Sequence, residues 1–270
     1  MTAEPAGATS PAASDKGRAL VTGASSGLGT CFARQLAAAG NDLVLVARTA
    51  DALERLAGEL GHAHGIDAEV LPADLADRAQ LAVVADRIGA GDVGTVVNNA
   101  GFGFYGPVTG HSLDQELGMV DVDVAAVAAL SYAAVQAMVP RRRGALLNVA
   151  SVASFAPTPE SATYSAAKSF VLLYTEALHD ELAGTGVHVS VLCPGFTRTN
   201  FQANAGISGK GLPGFVWAEA DDVVRRGLEA LARNQAVCVP GLVNKVTAVT
   251  PRLAPRPVVR RIARQVMKRL

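Results

Sequence analysis

The sequence predicts an α/β protein in which a parallel, seven-stranded sheet is doubly wound, with helices on both faces. Three observations predict it. Short continuous apolar runs recur along the chain, as strands buried on both faces require. Stretches of helical periodicity separate these runs. Glycines, amides, hydroxyls and an arginine follow the runs, so polar chemistry gathers along one edge of the sheet, where ligands of such sheets bind.

Ala19-Leu20-Val21 is the first run, and it ends in Thr22-Gly23-Ala24-Ser25-Ser26-Gly27-Leu28-Gly29. A helix follows, with Phe32, Leu36 and Ala39 on one face and Gly40 as its stop. Strand, glycine-rich turn and helix in that order are the Rossmann-type context in which a glycine motif can serve as a dinucleotide site. Glycines let the backbone approach a pyrophosphate, and the helix N-terminus offers free N–H groups. A tight βα turn without a ligand would use the same residues, and that reading stays open. Leu43 to Ala47 is the second strand, with Arg48 at its end in place of the acid that would take the ribose hydroxyls of NAD. Arg48 suits the 2′-phosphate of NADP, or else is a solvated loop residue.

Leu53, Leu56 and Leu60 mark a helix, and Ala68 to Leu71 a strand that leads to Asp74-Leu75. Asp74 either accepts a hydrogen bond from an adenine amine or acts as an N-cap-type residue for a helix from about Ala76 to Ile88. Thr95-Val96-Val97 is the fourth strand, ending in Asn98-Asn99-Ala100-Gly101, amides and a glycine suited to holding backbone and lining a cleft. A long helix is expected from Leu113 to Val139, then a fifth strand, Ala145 to Ala150, with Ser151 at its end. Ser161 to Leu182 reads as a helix that places Tyr164 and Lys168 one turn apart on one face. An ammonium fixed beside a phenol favours the phenolate, which makes the pair an acid/base device. Val187 to Leu192 and Ala236 to Val239 complete the sheet, with Cys193-Pro194-Gly195-Phe196-Thr197-Arg198-Thr199 between them.

Taken together, Thr22-Gly23-x-x-x-Gly27-x-Gly29, Asn98-Asn99-Ala100-Gly101, Ser151, Tyr164-x-x-x-Lys168 and Pro194-Gly195 resemble the short-chain dehydrogenase/reductase family in order and spacing, over about residues 17–240. The resemblance implies an NADP(H)-dependent oxidoreductase. Tyr164 would protonate a carbonyl oxygen as hydride arrives, Ser151 would orient that carbonyl, and Lys168 would bind the nicotinamide ribose and lower the Tyr164 pKa. Gly23, Ser25, Ser26, Gly27, Leu28 and Gly29 would meet the pyrophosphate and adjacent ribose, and Asp74 and Leu75 the adenine. Asn99 would line the nicotinamide side, Thr199 would meet the nicotinamide amide or the phosphate, and Ala100, Gly101, Pro194, Gly195 and Thr197 would also bind the cofactor. One position departs: Asp123 stands where the family usually has an asparagine that supports a water-linked proton relay behind the lysine. The relay is therefore expected to be altered rather than abolished. Two other readings keep the same scaffold, a non-catalytic NADP-binding regulatory protein and a lyase or isomerase.

Phe196 to Trp217 reads as a mobile lid, and Phe102, Phe104, Val152, Phe155, Phe196, Phe201 and Trp217 suggest an apolar pocket. A hydrophobic ketone, aldehyde or acyl-derived carbonyl fits it. Residues 1–16 read as a disordered tail and 17–240 as a single NADP-binding catalytic domain. Residues 241–270 read as a basic amphipathic extension with a helix from near Pro257, which packs on the domain or a partner subunit with a solvated basic face, or else touches an anionic membrane surface weakly. No uncharged apolar run approaches the ~20 residues of a membrane span. The net charge of zero argues against a nucleic-acid partner. Cys31, Cys193 and Cys238 have no disulfide or metal spacing, so no metal and a reducing, cytoplasmic compartment are expected. The family resemblance implies a homodimer or homotetramer.

Overall fold

The computed structural model describes residues 17–199, 201, 205, 213–253 and 255–267. Seven strands form one parallel sheet: β1 (Arg18–Thr22), β2 (Leu43–Ala47), β3 (Ala68–Pro72), β4 (Val93–Asn98), β5 (Gly144–Val149), β6 (Val187–Leu192) and β7 (Val237–Cys238). Their spatial order is β3-β2-β1-β4-β5-β6-β7. The order reverses between β1 and β4, which opens a crevice at the strand ends of such a sheet. The expected tail, residues 1–16, lies outside the described residues.

The strands are apolar throughout because both faces are covered. In β1, Ala19 and Val21 face one cluster with Phe32, Leu36 and Leu53, and Leu20 faces another with Leu81, Val84 and Leu130. The first layer is built by α1 (Gly27–Ala38), α2 (Ala50–His64) and α7 (Ala220–Ala232). The second is built by α3 (Arg78–Gly89), α4 (Leu113–Val120), α5 (Val127–Met138) and α6 (Ala162–Glu181). Two further helices follow, α8 (Leu242–Leu253) and α9 (Arg256–Met267).

Three elements differ from the sequence expectation. Helix α3 begins at Arg78 because Asp77, not Asp74, caps it, accepting from the N–H groups of Ala79 and Gln80 at 2.8 and 3.0 Å. Asp74 instead closes the turn before it, accepting from the Ala76 N–H. The long helix starts at a capping box made by Ser112 and Gln115, but a π-helical segment, Asp121–Ala126, interrupts it between α4 and α5. By length and composition residues 113–138 could cross a bilayer; here they pack on α3, α6 and the sheet. Helix α8 precedes the expected helix; Pro251 sits in its last turn, and the Thr247 and Thr250 hydroxyls bond back to carbonyls four residues earlier.

Polar side chains tie the middle of the sheet to the second helical layer. Asn98 donates to Asn148 Oδ1 at 2.9 Å and to Ser131 Oγ at 3.2 Å, and Asn148 donates to Thr175 Oγ1 at 2.9 Å. All four residues are buried, so Asn98 does not line the cleft as its position in the Asn-Asn-Ala-Gly run suggests. Asn148→Ala leaves the other three under-bonded beside a cavity. Urea unfolding is expected to show a loss of about 2–4 kcal/mol, with Leu20→Ile in the neighbouring apolar layer costing less.

Candidate active site

Strand β5, the first turn of α6 and the π segment bring four expected residues together. Ser151 follows β5, and its Oγ accepts from the Ala153 N–H at 3.1 Å, which leaves its own proton free to favour the phenolate of Tyr164. Ser154 and Ser169 lock this turn onto α6, the first donating to the Lys168 carbonyl and the second to the Ser154 carbonyl, each at 2.8 Å. Lys168 is buried, and its Nζ lies 5.8 Å from the centre of the Tyr164 ring. Nζ donates to Asp123 Oδ1 at 3.1 Å and to the Val149 carbonyl at 3.2 Å. An ammonium has three donors, so one remains to meet a ligand.

Asp123 is fully buried, and the Phe102 backbone N–H also bonds to its carboxylate. Its Oδ2 has no hydrogen-bond partner among the described residues. The contact with Lys168 depends on Gly101, where an added Cβ would lie 2.2 Å from Asp123 Oδ1 and 2.9 Å from Nζ. Gly103 has a similar part under Tyr164, since a Cβ there would lie 2.8 Å from Cδ2 of the ring. Gly103 was not singled out in the sequence; the small residue beside an aromatic in Phe102-Gly103-Phe104 was its only signal.

Lys168 pulls the Tyr164 pKa down as expected, and the Ser151 hydroxyl does the same, yet the phenol stands above its ordinary value. Burial is the largest cause, and the Asp123 carboxylate adds to it by offsetting the ammonium. Burial likewise pushes the Asp123 carboxyl up against the pull of Lys168. For Lys168, burial pulls down, but Asp123 and Tyr164 together hold the ammonium above its usual value.

The glycine turn is shaped for a ligand that approaches the backbone. Gly23 and Gly27 adopt positive φ, 66° and 56°, and a Cβ at Gly29 would sit 2.0 Å from the Gly23 carbonyl oxygen. Asn99 braces this loop, donating to the Thr22 carbonyl at 2.9 Å, while Thr22 Oγ1 accepts from the N–H groups of Asn99 and Ala100. Ser26 sits at the N-cap of α1 without a side-chain cap bond, and no acid occupies the first turn. Such an end favours an anion. Thr199 comes against it, 3.5 Å from where a Gly27 Cβ would be. Arg48 is exposed at the end of β2, with Asp74 and the buried Leu75 beyond the end of β3. These residues fit a phosphorylated dinucleotide.

Residues 17–208 match the family described as short chain dehydrogenase, more than half of the chain. The chain belongs to this family. It is 32% identical over 192 residues to a very-long-chain 3-oxoacyl-CoA reductase of Anas platyrhynchos, covering 68% of this chain and 61% of that protein. It is 28% identical to an inactive hydroxysteroid dehydrogenase-like protein 1 of Homo sapiens, with 68% and 57% covered. The chain thus spans about three fifths of the length of these curated relatives. Among solved structures, a short-chain dehydrogenase from Sphingobium yanoikuyae in complex with NADPH superposes with TM-score 0.80 at 33% identity, over 93% of this chain and 95% of that one. A bulky-bulky ketone specific alcohol dehydrogenase from Comamonas testosteroni gives 0.77 at 28%, over 94% of each.

On this short-chain dehydrogenase scaffold the expected pocket residues divide. Phe201 packs near Tyr164, ring centres 5.8 Å apart and planes tilted by 44°. Phe102 packs on Phe104, and Phe196 on Trp217, each at 5.6 Å. Phe155 packs into the core with Val127 and Val171, so it supports the site from behind. Val152 and Thr197 hold the Pro194-Gly195 loop: the Val152 N–H donates to the Pro194 carbonyl at 2.9 Å, and Thr197 Oγ1 to the Gly195 carbonyl at 3.0 Å. Much of the expected lid, residues 200, 202–204 and 206–212, lies outside the described residues.

Because the Asp123 charge raises the phenol pKa, Asp123→Asn is expected to lower it. The alkaline limb of carbonyl reduction, where Tyr164 loses its proton, then moves to lower pH. An ultraviolet titration of the phenol alongside kcat/KM against pH checks this, and superimposable curves would show that Asp123 is electrostatically silent. Gly101→Ala, which forces the pair apart, is expected to cost about 1–3 kcal/mol in thermal unfolding.

Proposed function

We propose that the protein is an NADPH-dependent oxidoreductase that reduces the carbonyl of a hydrophobic ketone, aldehyde or acyl-derived substrate, or runs the reverse reaction. The observation that carries this reading is the meeting of Tyr164 with the buried Lys168, whose Nζ lies 5.8 Å from the phenol ring centre, beside the Ser151 hydroxyl, which helps hold the phenol pKa down. When bound, the reduced cofactor supplies the hydride. Gly23, Gly27 and Gly29 would hold its pyrophosphate, Arg48 its 2′-phosphate and Lys168 its nicotinamide ribose. Ser151 orients the substrate oxygen, and Tyr164 gives that oxygen its proton. The NADPH complex of the Sphingobium yanoikuyae relative supports the cofactor, and the substrates named for the Anas platyrhynchos and Comamonas testosteroni proteins support the carbonyl class. Phe201 beside Tyr164 supports the apolar character. The three thiols are free, in keeping with the reducing, cytoplasmic compartment we assign.

We also infer a homo-oligomer formed through α4 and α6, which pack side by side. Leu113, Leu117 and Val120 recur at helical spacing and are exposed, as are Phe170 and Leu173 on the neighbouring helix. Covering this patch with a second copy of itself gives a dimer, which a second interface extends to a tetramer.

Three measurements test these readings. With NADPH and a panel of hydrophobic ketones, Tyr164→Phe is expected to lower kcat by about a hundredfold or more while NADPH binding persists. Arg48→Glu is expected to lower the preference for NADPH over NADH by about ten- to hundredfold. Cofactor binding without turnover in the parent chain would favour the non-catalytic reading, in line with the human relative. In sedimentation velocity, the Leu117→Glu, Leu173→Glu double variant is expected to run as a monomer where the parent runs larger.

A further inference from the structure

Charge is distributed unevenly along this chain. Residues 241–270 contain eight Lys or Arg and no Asp or Glu. The net charge of the whole is zero, so the preceding 240 residues are acidic by the same eight charges. Within the basic segment, α8 is two-sided. Its inner face buries Asn244, which bonds to the Pro240 carbonyl at 2.7 Å, and Ala248. That face rests on the turn Val152–Phe155 next to Ser151. Its outer face carries Leu242, Val246 and Val249 at positions i, i+4 and i+7, exposed by 79%, 60% and 51%. Helix α9 packs beside α8, buries Val259 and exposes Val258, Arg260, Arg261 and Arg264. Among the described residues no ion pair joins these arginines to the acidic remainder.

An apolar stripe and exposed arginines on adjoining helices need a partner that is apolar and anionic at once. A second copy of this surface would bring two basic segments together and repel. A nucleic acid would meet the charges but leave Leu242, Val246 and Val249 in water, and residues 241–270 have no aromatic side chain for base stacking. A bilayer of anionic lipid satisfies both: headgroup phosphates take the guanidinium groups, and the acyl boundary takes the aliphatic stripe.

We propose that α8 and α9 form an in-plane docking surface for an anionic lipid bilayer. The surface holds the protein with the turn after Ser151 on the membrane side of the fold, and it does not depend on the reductase reading. Co-sedimentation of the full chain with vesicles tests it, using phosphatidylcholine alone and phosphatidylcholine mixed with phosphatidylglycerol. Binding to the mixed vesicles is expected to exceed binding to the neutral ones about tenfold or more, and to fall in high salt. Val246→Glu with Val249→Glu, and separately Arg260→Glu with Arg261→Glu, are each expected to lower it about tenfold, with circular dichroism and NADPH binding unchanged. The proposal is overturned if the chain ignores both vesicles or binds them equally, or if neither double variant weakens binding. It is also overturned if duplex DNA binds more tightly than the mixed vesicles, or if the variants change only the oligomer size.

Discussion

Lys168 loses nearly all its water when α6 closes over the sheet, and an ammonium stripped of water has to be compensated. Asp123 supplies the compensation at 3.1 Å. Breaking such a pair costs about 3–5 kcal/mol because a bare charge is left behind. The pair therefore fixes where α6 sits against the interrupted helix, and with it the place of Tyr164 four residues earlier. It also sets the chemistry. An ammonium that is partly neutralised attracts a phenolate less, so burial keeps the phenol protonated more strongly than a tyrosine and lysine alone would suggest. A protonated phenol is the form that donates to a carbonyl oxygen.

Much of the site is made by side chains that are missing. Gly101 leaves the space in which carboxylate and ammonium meet, Gly103 leaves the space under the phenol ring, and Gly29 lets α1 start hard against the Gly23 carbonyl. None of these contacts is a bond that a larger residue could replace. Ser154 and Ser169 add the complementary device, small hydroxyls that stitch the turn after Ser151 to the helix carrying the lysine.

The sheet was legible because strands buried on both faces leave unbroken apolar runs; β6 was read at its observed ends, Val187 and Leu192. The glycine turn and the Tyr164–Lys168 pair were legible because fixed chemistry needs fixed spacing. Other features depend on tertiary context. Asp77 and Asp74 are both competent caps, and only the packing of Leu81 and Val84 selects between them. Nothing in Val120-Asp121-Val122-Asp123-Val124 announces a π turn, because the extra residue per turn is fixed by what Asp123 reaches across the fold. Asn98 and Asn99 are neighbours of one type, yet strand alternation sends the first into a buried network and leaves the second to brace the loop. The burial that outweighs the pull of Lys168 on the Tyr164 phenol is hidden for a similar reason, since depth of burial has no sequence pattern.

The uneven placement of acids and bases has an electrical meaning that an isoelectric point near 7.0 conceals. A neutral molecule with its positive charge concentrated in one stretch and its negative charge spread over the remainder is an oriented dipole. In any external field it turns before it moves, so its first contact with a charged object is made by a chosen side rather than at random.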